Sequence, residues 1–315
     1  MPAVSPRYRV GVIGAGRVGA VLAAALQRGG HLVVAASGAS PDSRRRLQTL
    51  MPQLSPQEPA DVAAAVELVL LTVPDDRLQH VVEQLAAGGS LSAGQVVVHT
   101  SGRHGSGVLA AAADQGAVTV ALHPAMTFTG TDGDLDRLRG CAFGLSAAGE
   151  GLAIGARLAD DLGGTATVIP EEQRTLYHAA LAHGANHLGT LVGQAMDILR
   201  LTGAGHPADL LRPLLTAALD NALTHGDVAL TGPVVRGDTR TVSDHLAALA
   251  AAAREVPGGE ELGAAYATMA AVTANRALRS GRLQAADAAD IMALTGEVVA
   301  DDRPIACADH DQSKR

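Results

Sequence analysis

The chain has 315 residues, 47% of them hydrophobic, a net charge of -8 and a single lysine, Lys314. That length and apolar content suit two domains with buried cores, while the charge offers no basic footprint for nucleic acid and the body holds no lysine for catalysis. Cys141 and Cys307 stand outside any CxxC pair and no uninterrupted apolar run reaches bilayer length, so the reading is a cytoplasmic protein without a membrane partner.

In chain order, the β-branched run Val10 to Ile13 ends at "GAGRVG", and Val18 to Leu26 reads as the helix that follows. Further apolar runs are "HLVVAAS", "VELVLLTVP", "QVVVHTSG", "VTVALHP" and "CAFGLS", several separated by helical patterns such as "DRLQHVVEQLAA". Continuous apolar strands alternating with helices predict a doubly wound, Rossmann-type parallel sheet buried on both faces. After "TATVIP" the strand signal ends and long Ala/Leu-rich segments predict an all-helical domain. The expected boundaries are 1–170, 171–300 and a polar tail at 301–315.

The glycine loop carries the first chemistry. Gly14 suits the tight turn, Gly16 the close approach of a pyrophosphate, and Gly19 the packing of helix on strand; Ala15, Arg17 and Val18 complete the loop and the helix start that receives negative charge. An NAD site would place an acid at the end of the second strand, where this chain has Ser37. The loop "SGASPDSRRR" offers Ser37, Ser40, Arg44 and Arg45 to a 2′-phosphate, so NADP(H) is the preferred cofactor, with NAD(H) kept open by Asp42. The arginines also read as the solvated start of a helix.

"TVPDD", "HTSG" and "LHP" fall where strands end, the ligand edge of an open α/β sheet, and place Val73, Pro74, Ser101 and His123 toward the nicotinamide half of a cofactor. Ser101 and His123 equally suit turn capping, and His99 reads as structural. On the first long helix, His178, Ala182 and Asn186 share one face, a set suited to a wet cleft. His183 and His187 form a second i, i+4 pair, too sparse for zinc without further ligands. In "TGPVVRGDTRTVSDHL", Arg236 suits a substrate carboxylate and Asp238 either orients it or caps a helix.

With "GVIGAGRVG", "LLTVPDD", "HTSG", "LHP", "YHAALAHGANH" and "TGPVVRGD" in this order, the sequence resembles the Rossmann-like family whose C-terminal half is domain of unknown function 2520. That family is similar in layout to 6-phosphogluconate dehydrogenase, β-hydroxyacid dehydrogenase, pyrroline-5-carboxylate reductase and ketopantoate reductase. The resemblance implies an NAD(P)H domain, a helical domain that often dimerises, and a substrate cleft. Hydroxyacid dehydrogenases of the group carry Lys-x-x-x-Asn on this helix; Asn186 looks like the asparagine, Ala182 stands where the lysine would, and His178 becomes the expected proton donor, with His123 second and Ser101 and Asn186 as hydrogen-bond donors. The expected activity is NADPH-dependent reduction of a small 2-oxoacid by a homodimer, with ketopantoate the first substrate. Reduction of a cyclic imine, oxidation of a prephenate-like acid and a non-catalytic NADP(H) sensor are the alternatives.

Overall fold

The computed structural model describes residues 7–255 and 259–301; Cys307, Lys314 and the expected tail beyond Asp301 lie outside them. The described strands, β1 (Arg9–Ile13), β2 (Leu32–Ser37), β3 (Leu68–Leu71), β4 (Val96–His99), β5 (Val118–Pro124), β6 (Ala142–Ala147) and β7 (Thr165–Val168), form one sheet in the order β2-β1-β3-β4-β5-β6-β7. Between them run α1 (Arg17–Arg28), α2 (Pro41–Leu50), α3 (Pro59–Ala64), α4 (Asp75–Ala87), α5 (Ala110–Ala113), α6 (Gly133–Arg137) and α7 (Gly151–Asp161). They are followed by α8 (Arg174–Leu201), α9 (Pro207–His225), α10 (Thr239–Ala252), α11 (Glu260–Arg279) and α12 (Ala285–Asp301).

Period-two side-chain alternation divides the sheet between two cores. Val10, Val12, Leu68, Leu70, Val96 and Val98 pack with α1 and α7 on one face, and Ile13, Val69, Leu71 and Val97 pack with α3, α4 and α5 on the other. Both faces are covered, which is why these strands read as continuous apolar runs. Helix starts are locally encoded: Ser40 caps α2 by accepting the Ser43 N–H at 3.1 Å, Pro41 fills its first turn, and Asp75 and Asp76 face the N-terminus of α4.

The sheet is mixed rather than wholly parallel. β1 to β5 are parallel neighbours, but β6 runs antiparallel to β5 with His123 opposite Gly144, and β7 returns parallel to β6. The β5–β6 connection contains only the single-turn α6 and is tied down near the end of β5. The buried carboxylate of Asp134 accepts the N–H groups of Thr129 and Gly130, both at 2.8 Å, so the chain re-enters the sheet from the same end. Register then aligns the carboxyl ends: Ile13 pairs with Leu71, Leu71 with His99, and His99 with Ala121. With β1 between β2 and β3, the strand order reverses beside the glycine loop, the position where open α/β sheets form a binding crevice.

By its contacts the chain divides into two compact units, one ending at Leu188 and one beginning at Gly189, a division that falls inside α8. In the second unit, α10, α11 and α12 enclose a core of Val235, Val242, Ala270, Ala274, Ala277 and Ile291; alanines along α11 let the neighbouring helices approach closely. No described helix is long and apolar enough to cross a membrane.

Candidate functional site

Gly14 makes the tight turn and Gly19 the helix-on-strand packing read from their spacing. Gly14 has φ +101°, and a Cβ there would lie 2.9 Å from the Thr72 backbone. A Cβ on Gly19 would lie 2.3 Å from the Gly14 carbonyl, so α1 packs against the turn only because that position is bare. Gly16 faces open space, with a single atom, the Gly14 oxygen, within 4 Å of its Cβ position. The N-terminus of α1 carries no side-chain cap, which leaves its first N–H groups available to an anion. Ser37 is held by its carbonyl, which accepts the N–H of Gly14 at 3.1 Å and of Ala15 at 2.8 Å.

These residues open a groove of about 840 Å³ lined by Gly14 through Val18, Ser37, Ser40, Ser43, Val73, Pro74 and Ser101. Its size and the polar groups of Arg17, Ser37, Ser40 and Ser43 along its lining fit a dinucleotide. Arg44 donates instead to the Ala39 carbonyl at 2.8 Å, and Arg45 pairs with Asp42 at 3.1 Å; both are exposed.

At the carboxyl end of β4, His99 is fully buried and bridges the turn that follows. Its Nδ1 accepts the Ser101 N–H at 3.1 Å and its Nε2 lies 2.9 Å from the Gly105 carbonyl. Burial pushes its pKa down to about 4, so it stays neutral and shapes the "HTSG" turn. Ser101 Oγ accepts the His104 N–H at 3.3 Å, the capping role, while the same residue lines the groove.

The adjoining Gly102 is the hinge between groove and histidines. A Cβ there would lie 2.5 Å from His178 Cδ2 and 3.0 Å from His123 Nε2. The two imidazoles stand edge to face with centroids 6.1 Å apart. They line a cleft of about 700 Å³ with Thr127, Arg137 and Asn186 and with the apolar Met126, Leu181 and Ala185. His123, His178 and Asn186 are thus brought to one cleft inside the first unit, and Ser101 to the groove beside it.

Two further side chains, absent from the sequence reading, support this cleft. Tyr177 OH lies 2.9 Å from His123 Nδ1, and the phenol fits against β6 because Gly144 is bare: a Cβ there would meet the hydroxyl at 2.6 Å. Burial raises the Tyr177 pKa and lowers that of His123 to about 4, the latter assisted by the neighbouring His178 and Arg174 charges. Arg174 is buried at 1% exposure and donates to Ser146 Oγ at 2.7 Å and to the Ala121 and Gly144 carbonyls, each at 3.0 Å. Its guanidinium lies 5.8 Å from the Tyr177 ring centre, and its Nη1 is buried without a hydrogen-bond partner. A glycine inside an apolar strand marks close approach, so Gly144 was the available signal for Tyr177; nothing local announces a buried Arg174.

Arg236 and Asp238 belong to the second unit. Asp238 caps α10, accepting Thr241 N–H at 3.0 Å and its hydroxyl at 2.7 Å; these bonds hold its carboxyl below the ordinary range. Arg236 lines a separate cavity with Arg282, Gln284 and Asp287. His183 and His187 approach to 2.8 Å between their Nδ1 atoms, and no group of three or more metal-ligating residues occurs among the described residues.

Family models match in two blocks: a Rossmann-like domain over residues 3–124 and a domain of unknown function (DUF2520) over residues 141–273. No curated protein matches the sequence. Among solved structures, the chain is similar to the candidate NADP oxidoreductase BF3122 from Bacteroides fragilis, with 20% identity and a TM-score of 0.69 over 85% of this chain and 98% of that one. A pyrroline-5-carboxylate reductase from Coxiella burnetii aligns at 14% identity and TM-score 0.53, covering 93% and 98% of the two chains. A reductive aminase from Aspergillus terreus, in complex with NADPH and ethyl levulinate, aligns at 17% identity and TM-score 0.54 over 95% of each. At these identities the likeness is one of fold. The chain therefore carries a Rossmann-like domain followed by a DUF2520 domain.

Proposed function

We propose that the protein is an NADP(H)-dependent oxidoreductase that reduces the C=O or C=N bond of a small substrate held beside His123 and His178. The observation that carries this reading is the Ser101–Gly102 junction, where one residue lines the dinucleotide-sized groove and the next lies against both imidazoles of the cleft. The similar structures named for NADP, NADPH and a carbon–nitrogen reduction support it at the level of fold.

Gly14, Ala15, Gly16, Arg17, Val18 and Gly19 would hold the pyrophosphate, and Val73 and Pro74 would wall the nicotinamide side. Arg17, Ser37 and Ser40 would bind the 2′-phosphate, with Arg44 and Arg45 contributing positive potential from the loop. When bound, a reduced nicotinamide supplies hydride. His178 gives the proton to the reacting oxygen or nitrogen as general acid, while His123, Asn186 and Ser101 donate hydrogen bonds that hold that atom in place. The substrate carbon gains the hydride and the heteroatom the proton, which converts a 2-oxoacid to a 2-hydroxyacid.

Ketopantoate, reduced to pantoate, is the first specific substrate; pyrroline-5-carboxylate is the second, favoured by the fold shared with the Coxiella enzyme. Measuring kcat/KM for the two with NADPH decides between them: a tenfold preference for ketopantoate supports the oxoacid, and the reverse assigns the imine.

The helical unit supports a homodimer. Leu210 and Leu214 on one side of α9 and Leu219 and Leu223 on the opposite side are 58%, 64%, 48% and 78% exposed, apolar surface suited to a second copy of the chain. Light scattering at micromolar concentration should give twice the chain mass, and Leu214→Glu with Leu223→Glu should give the monomer.

A further inference from the structure

The cleft containing His123 and His178 has one guanidinium among its lining residues, that of Arg137, and no Asp or Glu. Arg137 closes α6, whose position is fixed by Asp134. That carboxylate is buried and accepts the N–H groups of Thr129 and Gly130 at 2.8 Å and the Thr129 hydroxyl at 2.9 Å. These bonds outweigh the effect of burial and hold Asp134 below the ordinary carboxylate range, so it stays ionised. Arg137 Nη1 reaches it only at 3.6 Å, a long contact that positions the guanidinium without occupying its fork, and the arginine side chain is 65% exposed. The rest of the wall is short and apolar: Ala125, Met126, Leu181, Ala182 and Ala185.

We propose that Arg137 is the substrate-binding residue that takes the carboxylate of a short aliphatic acid whose oxo or imino carbon lies at His123 and His178. A planar guanidinium matches a carboxylate through two parallel N–H bonds, and one such group with no lysine and no second arginine in the lining suits a monoanion better than a phosphate. The one carboxylate near the guanidinium, Asp134, is buried and takes up the Thr129 and Gly130 N–H groups rather than lining the cleft, and the small apolar wall limits the chain length of a bound acid. This assignment rests on the oxidoreductase reading for the reaction but not for binding. It gives the anchoring role to Arg137 of the first unit, the arginine that lines the cleft itself.

The test is calorimetric titration of ketopantoate, 2-oxoisovalerate and pyruvate, each beside its methyl ester, into the full chain alone and with NADP+. The wild type should bind at least one acid tenfold or more tighter than its ester. Arg137→Gln should bring that ratio close to one, Arg137→Lys should recover part of it, and Arg236→Gln should leave it unchanged; where turnover occurs, Arg137→Gln should raise KM by at least tenfold while kcat changes less. No acid binding by the wild type, a wild-type ratio near one, or a ratio that survives Arg137→Gln overturns the assignment. Acid binding lost in Arg137→Gln but without NADPH oxidation would keep the anchor and reject the reductase. Reduction of neutral carbonyl compounds with a ratio near one would do the opposite.

Discussion

The phenol oxygen of Tyr177 lies 2.9 Å from Nδ1 of His123, and this contact determines which ring nitrogen is turned to the cleft. Burial raises the phenol's pKa, so Tyr177 keeps its proton and is able to donate it to Nδ1. In the proposed reaction His123, held neutral by burial, would then carry its proton on Nε2, the atom beside Gly102, and would donate a hydrogen bond to the reacting atom rather than act as an acid. Tyr177→Phe should lower kcat by roughly tenfold, the loss of one oriented hydrogen bond, with NADPH affinity unchanged. Nitrogen NMR of the His123 ring should show the Nε2-protonated form in the wild type and a mixture in the variant; the Nδ1-protonated form in the wild type would refute the assignment.

Gly102, like Gly19, is bare because of what a Cβ would strike, and here the neighbours are the two imidazoles. Its backbone is not in the left-handed region, so Gly102→Ala should fold, but its Cβ would displace His178 and His123 from positions 2.5 and 3.0 Å away. We expect kcat to fall about a hundredfold, in the range for removing a positioned general acid, with a melting temperature within a few degrees of wild type. Full activity in Gly102→Ala would show that the two imidazoles do not act together.

The parts of this architecture that depend on local pattern were legible in the sequence. The glycine loop, the apolar runs and the helix caps each write their geometry into neighbouring residues, and His178 and Asn186 share a cleft because residues eight apart on a helix must share a side. What was not legible depends on strand pairing. Tyr177 meets His123 because β6 runs antiparallel to β5 and sets bare Gly144 opposite His123, and no periodicity in "CAFGLS" reports its direction. Arg137 lines the cleft from a loop that Asp134 folds back on Thr129 and Gly130, and Arg174 is hidden by carbonyls from two strands more than 20 residues distant.

Cofactor preference tests the second-strand loop. NADPH should bind at least tenfold more tightly than NADH, about 1.4 kcal/mol, with Arg17→Ala and Ser40→Ala narrowing the gap most. Arg44→Ala and Arg45→Ala should have smaller effects, because their guanidinium groups already bond to the Ala39 carbonyl and Asp42. Equal affinities for the two cofactors would contradict the 2′-phosphate site.

Stability should depend on two neutral histidines. His99 and His123 have pKa values lowered from 6.5 to about 4, by burial first; Arg174 lowers both further, His104 lowers His99 and His178 lowers His123, while the Gly105 hydrogen bond raises His99 and Asp75 opposes the shift at both. Between pH 4 and 6.5 the unfolded chain binds more protons than the folded one, so their contribution is fully present above pH 6.5 and lost as pH falls toward 4. The loss should be on the order of 3 kcal/mol per histidine. Denaturant unfolding across this range should show it, and His123→Gln should flatten the slope; an unchanged slope would mean that His123 titrates normally in the fold.

The central claim is that the glycine-loop groove and the His123–His178 cleft are one reductase site. Its most direct measurement is NADPH oxidation by the wild type and by His178→Ala over a panel of 2-oxoacids and cyclic imines. The wild type should turn over at least one member, and His178→Ala should lose about 10² to 10⁴ in kcat with its NADPH affinity intact. Tight NADPH binding with no turnover of any member, or equal turnover by the variant, would contradict it.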